Sequence, residues 1–100
     1  MYLHTLLKDY KPATAPVDGL YTLTSAATTP KAWTAPAPPA ENPPYPHKYV
    51  NYLYTQPPNF AVPASQQSAV SSGLRFNVTQ FAIDAKLGEP VLGNYFQVTG

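Results

Sequence analysis

Proline is concentrated in one stretch of this chain, and that stretch limits what the chain can fold into. Seven of the seventeen residues from Pro30 to Pro46 are proline, and three more follow by Pro63. Proline fixes its own φ angle, has no backbone N–H, and disfavours helical backbone in the residue before it. Residues 30–63 are therefore predicted to form an extended arm, neither helix nor central strand, with polyproline II as its default conformation.

The proline-rich arm (residues 30–63) is long for a protein of this size. Its first seventeen residues would reach about 53 Å as polyproline II, whereas a compact domain of 100 residues has a radius of gyration of about 13 Å. The arm separates an N-terminal segment, residues 1–29, from a C-terminal unit, residues 64–100. Each is smaller than the roughly 70 residues that a core without staples usually needs. Cysteine is absent, which removes disulfides and is typical of a reducing compartment or a virus particle.

Charged residues are scarce in this chain. Asp, Glu, Lys and Arg make up 11% of the residues, against an average of about 25%. No charged residue occurs from Tyr49 to Leu74, whereas aromatic residues make up 13% of the chain and include eight tyrosines. A free domain usually has a charged surface, and a disordered chain usually has many charges and few aromatics. The composition therefore predicts a chain that partner proteins cover and order.

Several partner classes find no support in the sequence. The six lysine and arginine residues are scattered, so the chain lacks the basic cluster that neutralises nucleic-acid phosphates. No apolar run approaches the roughly 18 residues of a membrane span, and residues 1–9 lack the basic and apolar regions of a signal peptide. We therefore expect cytosolic synthesis without processing, no nucleic-acid partner and no membrane span.

The N-terminal segment contains an apolar pattern with helical spacing. Leu3, Leu6, Leu7 and Tyr10 follow the i, i+3, i+4, i+7 spacing of one helix face, which predicts a short helix over about residues 2–10. Its apolar face has two interpretations, an anchor for a partner's groove or a cap on the chain's own core. An Asp-Gly turn and a short β-type run, residues 20–24, follow.

Aromatic residues in the arm are candidates for partner contacts. Trp33 lies among Ala, Thr and Pro, where a lone Trp is typical of an interface anchor. Four tyrosines follow within ten residues, and the run fits either a helix or a strand. Tyrosines suit partly wet interfaces, although an internal core cluster fits the same pattern. The predicted partner-binding residues are Leu3, Leu6, Leu7, Trp33, Tyr45, Tyr49, Tyr52 and Tyr54.

The C-terminal unit has the clearest periodic patterns. Residues 65–72 are predicted to form two turns of helix, with Ser65 as N-cap and Gly73 as the left-handed residue that ends it. Residues 74–79 alternate as a strand, and the pattern slips at Gln80, which suggests a bulge. We predict an antiparallel hairpin over residues 74–98, which is marginal in water unless another strand joins it.

Residues for catalysis or metal binding form no recognisable pattern. The two histidines, His4 and His47, are far apart in the sequence, and neither has an acidic residue at metal-ligand spacing. The chain has no cysteine nucleophile, no G-x-S-x-G elbow and no phosphate-binding glycine loop. We therefore predict a protein that is not an enzyme and has no cofactor, metal or small-molecule substrate.

Two short motifs carry other interpretations. Pro43-x-x-Pro46-His47-Lys48 matches the P-x-x-P-x-basic pattern that SH3 domains bind as polyproline II. Asn77-Val78-Thr79 is formally a glycosylation sequon. We discount the sequon because it lies inside a predicted strand of a chain without an export signal.

These features together favour a non-enzymatic structural subunit of a large symmetric assembly. The leading hypothesis is a minor capsid or cement protein of a virus or phage particle, located in the virion after assembly in the host cytoplasm. The arm would bridge neighbouring subunits, since prolines lower the entropy lost on ordering and aromatics fill pockets between subunits. The alternatives are a proline-rich ligand of SH3-type domains and an accessory subunit of a cellular complex.

Overall fold

Regular structure in this protein is confined to short elements separated by long irregular segments. The computed structural model describes residues 1–100. Two antiparallel sheets of two strands each and two short helices confirm the prediction of a mostly irregular, largely non-helical chain with small β elements. Neither helix has the length and apolar character needed to cross a membrane. In chain order the elements are β1 (Lys11–Pro12), β2 (Leu23–Thr24), β3 (Pro46–Leu53), a 3₁₀ turn (Ala64–Gln66), α1 (Gln67–Ser72), α2 (Val78–Asp84) and β4 (Leu92–Thr99).

The N-terminal segment is extended, so the predicted helix over residues 2–10 is wrong. The Leu3 amide donates to the Gly73 carbonyl at 2.8 Å, and Leu6 forms an antiparallel bridge with Lys31. A nine-residue helix is marginal by itself, and these long-range backbone hydrogen bonds require extended backbone instead. The turn at Asp18-Gly19 is as predicted, with positive φ at both residues between the bridged pair Val17 and Leu20.

The helix predicted over residues 65–72 is confirmed as a 3₁₀ turn that continues into α1. Gly73 ends it with a φ of 75°, in the left-handed region predicted for that position. The predicted N-cap is wrong, because no side chain caps either helical piece. The Ser65 hydroxyl instead donates to the Asp84 carboxylate at 2.8 Å, which joins this helical region to α2.

Residues 78–84 form α2, so the strand predicted from residue 74, with a bulge at Gln80, is wrong. The Asn77 side chain accepts a hydrogen bond from the Gln80 amide at 3.0 Å and caps the helix. Phe76, just before the cap, packs on Phe81 with ring centroids 5.4 Å apart, an arrangement known as a hydrophobic staple. The phase slip at Gln80, which suggests a bulge, lies in the first turn of this helix. Asn77 followed three residues later by Gln80 was the signal for it.

The C-terminal strand is present, but its predicted partner is wrong. β4 pairs antiparallel with β3, with Pro46 opposite Thr99 and Leu53 opposite Leu92. The tyrosine-rich run of the arm is therefore a strand and not a helix. Each strand of a two-stranded sheet is an edge strand, which is where a proline such as Pro46 is tolerated. The 74–98 hairpin does not exist, and the sheet joins the arm to the C-terminal unit.

The core is small and lies between the helices and the N-terminal segment. Only three apolar residues are buried, Val70, Phe76 and Phe81. Partly buried apolar residues pack around them, including Leu3 and Leu6. The radius of gyration is 15.4 Å, above the roughly 13 Å of a compact domain of this length.

The first part of the arm folds back on the chain and does not project from it. The Thr34 amide donates to the His4 carbonyl at 2.8 Å, and Gly100 lies against the backbone of Pro38 and Pro39. The longest dimension of the whole molecule is 47 Å, shorter than the roughly 53 Å that residues 30–46 would reach as one straight polyproline II helix.

Candidate functional site

The β3–β4 sheet presents two faces of different character. Successive side chains of a strand point to opposite faces, and cross-strand partners share a face. The inner face, next to the N-terminal segment, consists of His47, Tyr49, Asn51, Phe96 and Val98. The outer face consists of Lys48, Val50, Tyr52, Tyr95 and Gln97, with Gly93 opposite Tyr52.

Aromatic rings connect the inner face to the N-terminal segment. Tyr2 packs edge-on against His4 at 4.8 Å, and His4 packs edge-on against Tyr49 at 5.2 Å. Tyr49 stacks on Phe96 at 5.4 Å across the two strands. His4 Nδ1 lies 2.8 Å from the Thr34 carbonyl oxygen, and because a carbonyl only accepts, Nδ1 carries the proton. The inner face is therefore a packed junction between three segments of the chain.

The structure brings both histidines to this face, which sequence spacing did not predict. His47 lies two residues before Tyr49 on the same face, and its Nε2 is hydrogen-bonded to Glu41. The Tyr45 ring lies edge-on at 5.6 Å from His47. The side chains of the histidine–glutamate pair are 37% and 39% exposed. No three His, Cys, Asp or Glu side chains lie close enough together to hold a metal ion.

The outer face is uncovered and holds its aromatic rings in place. Val50, Tyr52 and Tyr95 are 46%, 49% and 62% exposed. The Tyr52 ring lies over Gly93, where an added Cβ would be 3.4 Å from the ring. Lys48 Nζ lies 4.6 Å from the centre of the Tyr95 ring, a cation–π contact that orients both side chains.

Tyr54 lies just beyond β3 and continues the aromatic row. Its ring is 6.3 Å from that of Tyr52. Burial raises the pKa of the Tyr54 hydroxyl above its ordinary value, and the nearby Tyr52 and Glu89 raise it further.

The predicted partner-binding residues lie in three different places. Leu3 and Leu6 pack on the chain's own core. Leu7, Trp33 and Tyr45 are exposed away from the outer face, Trp33 by 60%. Tyr49 lies on the inner face, whereas Tyr52 lies on the outer face next to Tyr54. The structure therefore does not gather these residues into one patch, and their partner contacts stay predictions.

A cleft of about 340 Å³ lies between residues 57–63 and the end of α2. Its one acidic residue, Asp84, accepts hydrogen bonds from Gln66, Ser65 and Gln80 at 2.7–2.8 Å. These bonds, that from Gln66 most of all, lower the pKa of the Asp84 carboxyl below its ordinary value. The carboxylate therefore serves to hold the 3₁₀ turn against α2.

The SH3-ligand motif does not have the conformation that such ligands adopt. Pro46, His47 and Lys48 form the first three residues of β3 and pair with β4, whereas SH3 domains bind polyproline II. The glycosylation sequon also lies in an unexpected place, because Asn77 caps a helix and is not inside a strand.

Comparison with known proteins identifies two curated relatives, and no family model or solved structure matches the chain. One is "Phomoidride biosynthesis cluster protein N" of a fungal species (strain ATCC 74256), 43% identical over 70 residues that cover 66% of this chain and 31% of that protein. The other has the same name and comes from Talaromyces stipitatus, 35% identical over 83 residues that cover 78% of this chain and 40% of that protein.

The relatives overturn the hypothesis of a virus-particle protein. Both belong to a fungal biosynthesis cluster, so the predictions of a capsid or cement protein, of a large symmetric assembly as partner, and of a virion location are wrong. A protein of such a cluster can be an enzyme or an accessory protein. The chain spans 31% and 40% of the length of the two curated relatives it matches, and it is similar to phomoidride biosynthesis cluster protein N over that part.

Proposed function

We propose that this chain acts in a fungal biosynthesis cluster as a non-catalytic part of a fold related to phomoidride biosynthesis cluster protein N. One observation carries the proposal. The chain that matches these relatives leaves the aromatic outer face of its longest sheet uncovered. Large uncovered apolar patches are typical of interaction sites.

The chemistry of the described residues supports a non-catalytic role. Both side chains of the Glu41–His47 pair are more than a third exposed, whereas the residues of catalytic sites usually lie in a cleft or cavity. The acidic residue of the cleft beside α2 has all its hydrogen bonds directed to the chain itself.

The sparse packing of this chain supports its role as one part of a fold, in which further polypeptide covers the exposed side chains. Five of 100 residues are buried, and two-stranded sheets are marginal in water without further strands or a covering layer. Most of the length of each relative lies outside the matched region. Additional polypeptide of that kind is what would cover the exposed apolar side chains of this chain.

Disruption of the gene in the organism that encodes this chain tests the proposal. We expect one group of products to disappear from the culture extract, as measured by liquid chromatography and mass spectrometry. The wild-type gene should restore it, and so should His47→Gln with Glu41→Gln, because neither side chain takes part in chemistry. An unchanged product profile would contradict a role in biosynthesis. Failure of the double variant alone, at normal protein level, would contradict the non-catalytic part of the proposal.

A further inference from the structure

We infer that the free edge of β4 and the outer face form a docking site for an extended polypeptide segment of the protein N fold. The segment is one that the relatives carry outside the matched region, bound here as a separate polypeptide. The inference rests on the proposed function and adds the surface and the binding mode, which is addition of a strand to an existing sheet.

The edge of β4 is open over most of its length, and only Gly100, just past its end, lies against the backbone of Pro38 and Pro39. The backbone of Leu92–Thr99 hydrogen-bonds only to β3. Natural proteins protect edge strands with charges, prolines, bulges or a covering segment. β4 contains neither a charge nor a proline over eight residues, whereas β3 has Pro46 and Lys48. The unprotected strand is therefore the one that an added strand would pair with.

The outer face supplies the side-chain contacts next to that edge. A strand added to β4 would place alternate side chains beside Tyr95 and Gln97. The positions of the Tyr52 and Tyr95 rings are already set by Gly93 and Lys48, so little side-chain entropy would be lost on binding. Neither strand contains an acidic residue, so a carboxylate on the added polypeptide would complement Lys48.

The exposed outer face argues against a second copy as the occupant. Two copies paired through β4 would form a four-stranded sheet in which the outer faces lie side by side, still uncovered. A longer polypeptide can pair with the edge and also cover the face, and the relatives carry more than half of their length outside the match. We therefore assign the site to that polypeptide.

Hydrogen exchange measured by mass spectrometry tests the inference. The probe is the part of the Talaromyces stipitatus protein that lies outside the match, added to the full chain. We expect slower amide exchange in residues 92–99 and a 1:1 complex by light scattering. In a second experiment, a chimaera is made in which this chain replaces the matched segment of the whole Talaromyces stipitatus protein. The amides of residues 92–99 should exchange more slowly in this chimaera than in the chain alone. The absence of slowing in both experiments would overturn the inference. So would a dimer of the chain alone with those amides protected, since the occupant would then be a second copy.

Two tyrosine variants give a matched comparison. Tyr95→Ala removes the aromatic ring from the docking surface and should weaken binding of the probe by at least about tenfold, the range of an interface hot spot. Tyr21→Ala makes the same change at a residue of similar exposure, 56% against 62%, outside the sheet, and should leave binding within about threefold. Equal effects would overturn the assigned surface. Lost products in the gene disruption together with unchanged exchange would contradict this inference and leave the proposed function standing.

Discussion

Some single residues of this chain are constrained by segments far away in the sequence. Gly73 has a φ of 75°, and a Cβ at this position would lie 2.7 Å from the Leu3 carbonyl oxygen. Gly88 has a similar φ of 73° with nothing within 4 Å of an added Cβ. Both glycines therefore have left-handed backbone, which favours glycine. Only at Gly73 would a Cβ also collide with another segment of the chain.

Gly73→Ala should release the N-terminal segment, and Gly88→Ala should not. Both variants put an alanine in the left-handed region, which costs about 1–2 kcal/mol, but only the first also forces Leu3 away. We expect the Leu3 amide, which donates to Gly73, to exchange at least about tenfold faster in Gly73→Ala. Amide exchange followed by NMR measures this. Similar rates in the two variants would show that the close approach of Leu3 is unimportant.

Asp84 should make the junction between the 3₁₀ turn and α2 dependent on pH. Its folded pKa lies below its ordinary value because of the bonds from Gln66, Ser65 and Gln80. Because the pKa of Asp84 is lower in the folded chain, its carboxylate stabilises the fold at pH values above the ordinary pKa of 3.8. This contribution is lost as the pH falls through the folded pKa. Carbon-detected NMR titration should show the Asp84 midpoint below 3.8, and Asp84→Asn should abolish the associated acid loosening of α2. Asp18→Asn, in an exposed turn, serves as the control.

At the scale of elements, α2 exists because its first residues satisfy its free amides. A seven-residue helix is too short to be stable by propensity alone. The Asn77 cap and the contact between Phe76 and Phe81 stabilise its first turn. The alternation from residue 74 to 79 was read as a strand, but the cap pattern starting at Asn77 outweighs it.

Asn77→Ala should loosen α2, and Asn77→Ser should not. Loss of the side-chain acceptor costs about 1 kcal/mol, which corresponds to a roughly fivefold faster exchange of the Gln80 amide. Serine keeps an oxygen that can accept the same hydrogen bond. Amide exchange followed by NMR distinguishes the two variants. An equally fast Gln80 amide in both would mean that the side chain does not act as a cap.

At the scale of the whole molecule, the N-terminal segment contributes part of a core that the helices cannot complete. Leu6 packs on the buried cluster and Leu7, its neighbour, is 48% exposed. The Lys31 ammonium adds a hydrogen bond to the Ser71 carbonyl in the last turn of α1, at 3.3 Å. The N-terminal segment thus closes over the three buried apolar residues of the helical region, and the β3–β4 sheet lies outside that core.

Leu6→Ala and Leu7→Ala separate core packing from surface exposure. Leu6→Ala should destabilise the docked N-terminal segment by about 1–2 kcal/mol, below the 2–5 kcal/mol of a fully buried leucine. Leu7→Ala should stay within about 0.5 kcal/mol. Exchange of the Thr34 amide, which donates to the His4 carbonyl, reports on the docking of this segment. A larger effect at Leu7 than at Leu6 would contradict the packing described for both residues.

Local patterns in the sequence determined several features by themselves. Proline excludes helices from residues 30–46 because it lacks an N–H and restricts its neighbours, and none occurs there. Gly73 ends a helix, and Asp18-Gly19 forms a turn, because glycine and aspartate tolerate positive φ. Each of these features depends on the conformation of one or a few residues, which a short stretch of sequence specifies.

Only the tertiary structure decided which segments meet. The N-terminal leucines have helical spacing, yet backbone hydrogen bonds to Gly73 and Lys31 hold them extended. β4 could have paired with any strand, and it pairs with β3, more than 40 residues earlier in the chain. Packing of the N-terminal segment on this sheet places His4 against Tyr49, on the same face as His47, although no spacing in the sequence relates the two histidines. Long-range pairing depends on the sum of hydrogen bonds and buried apolar surface over the whole chain, so no local pattern of residues contains it.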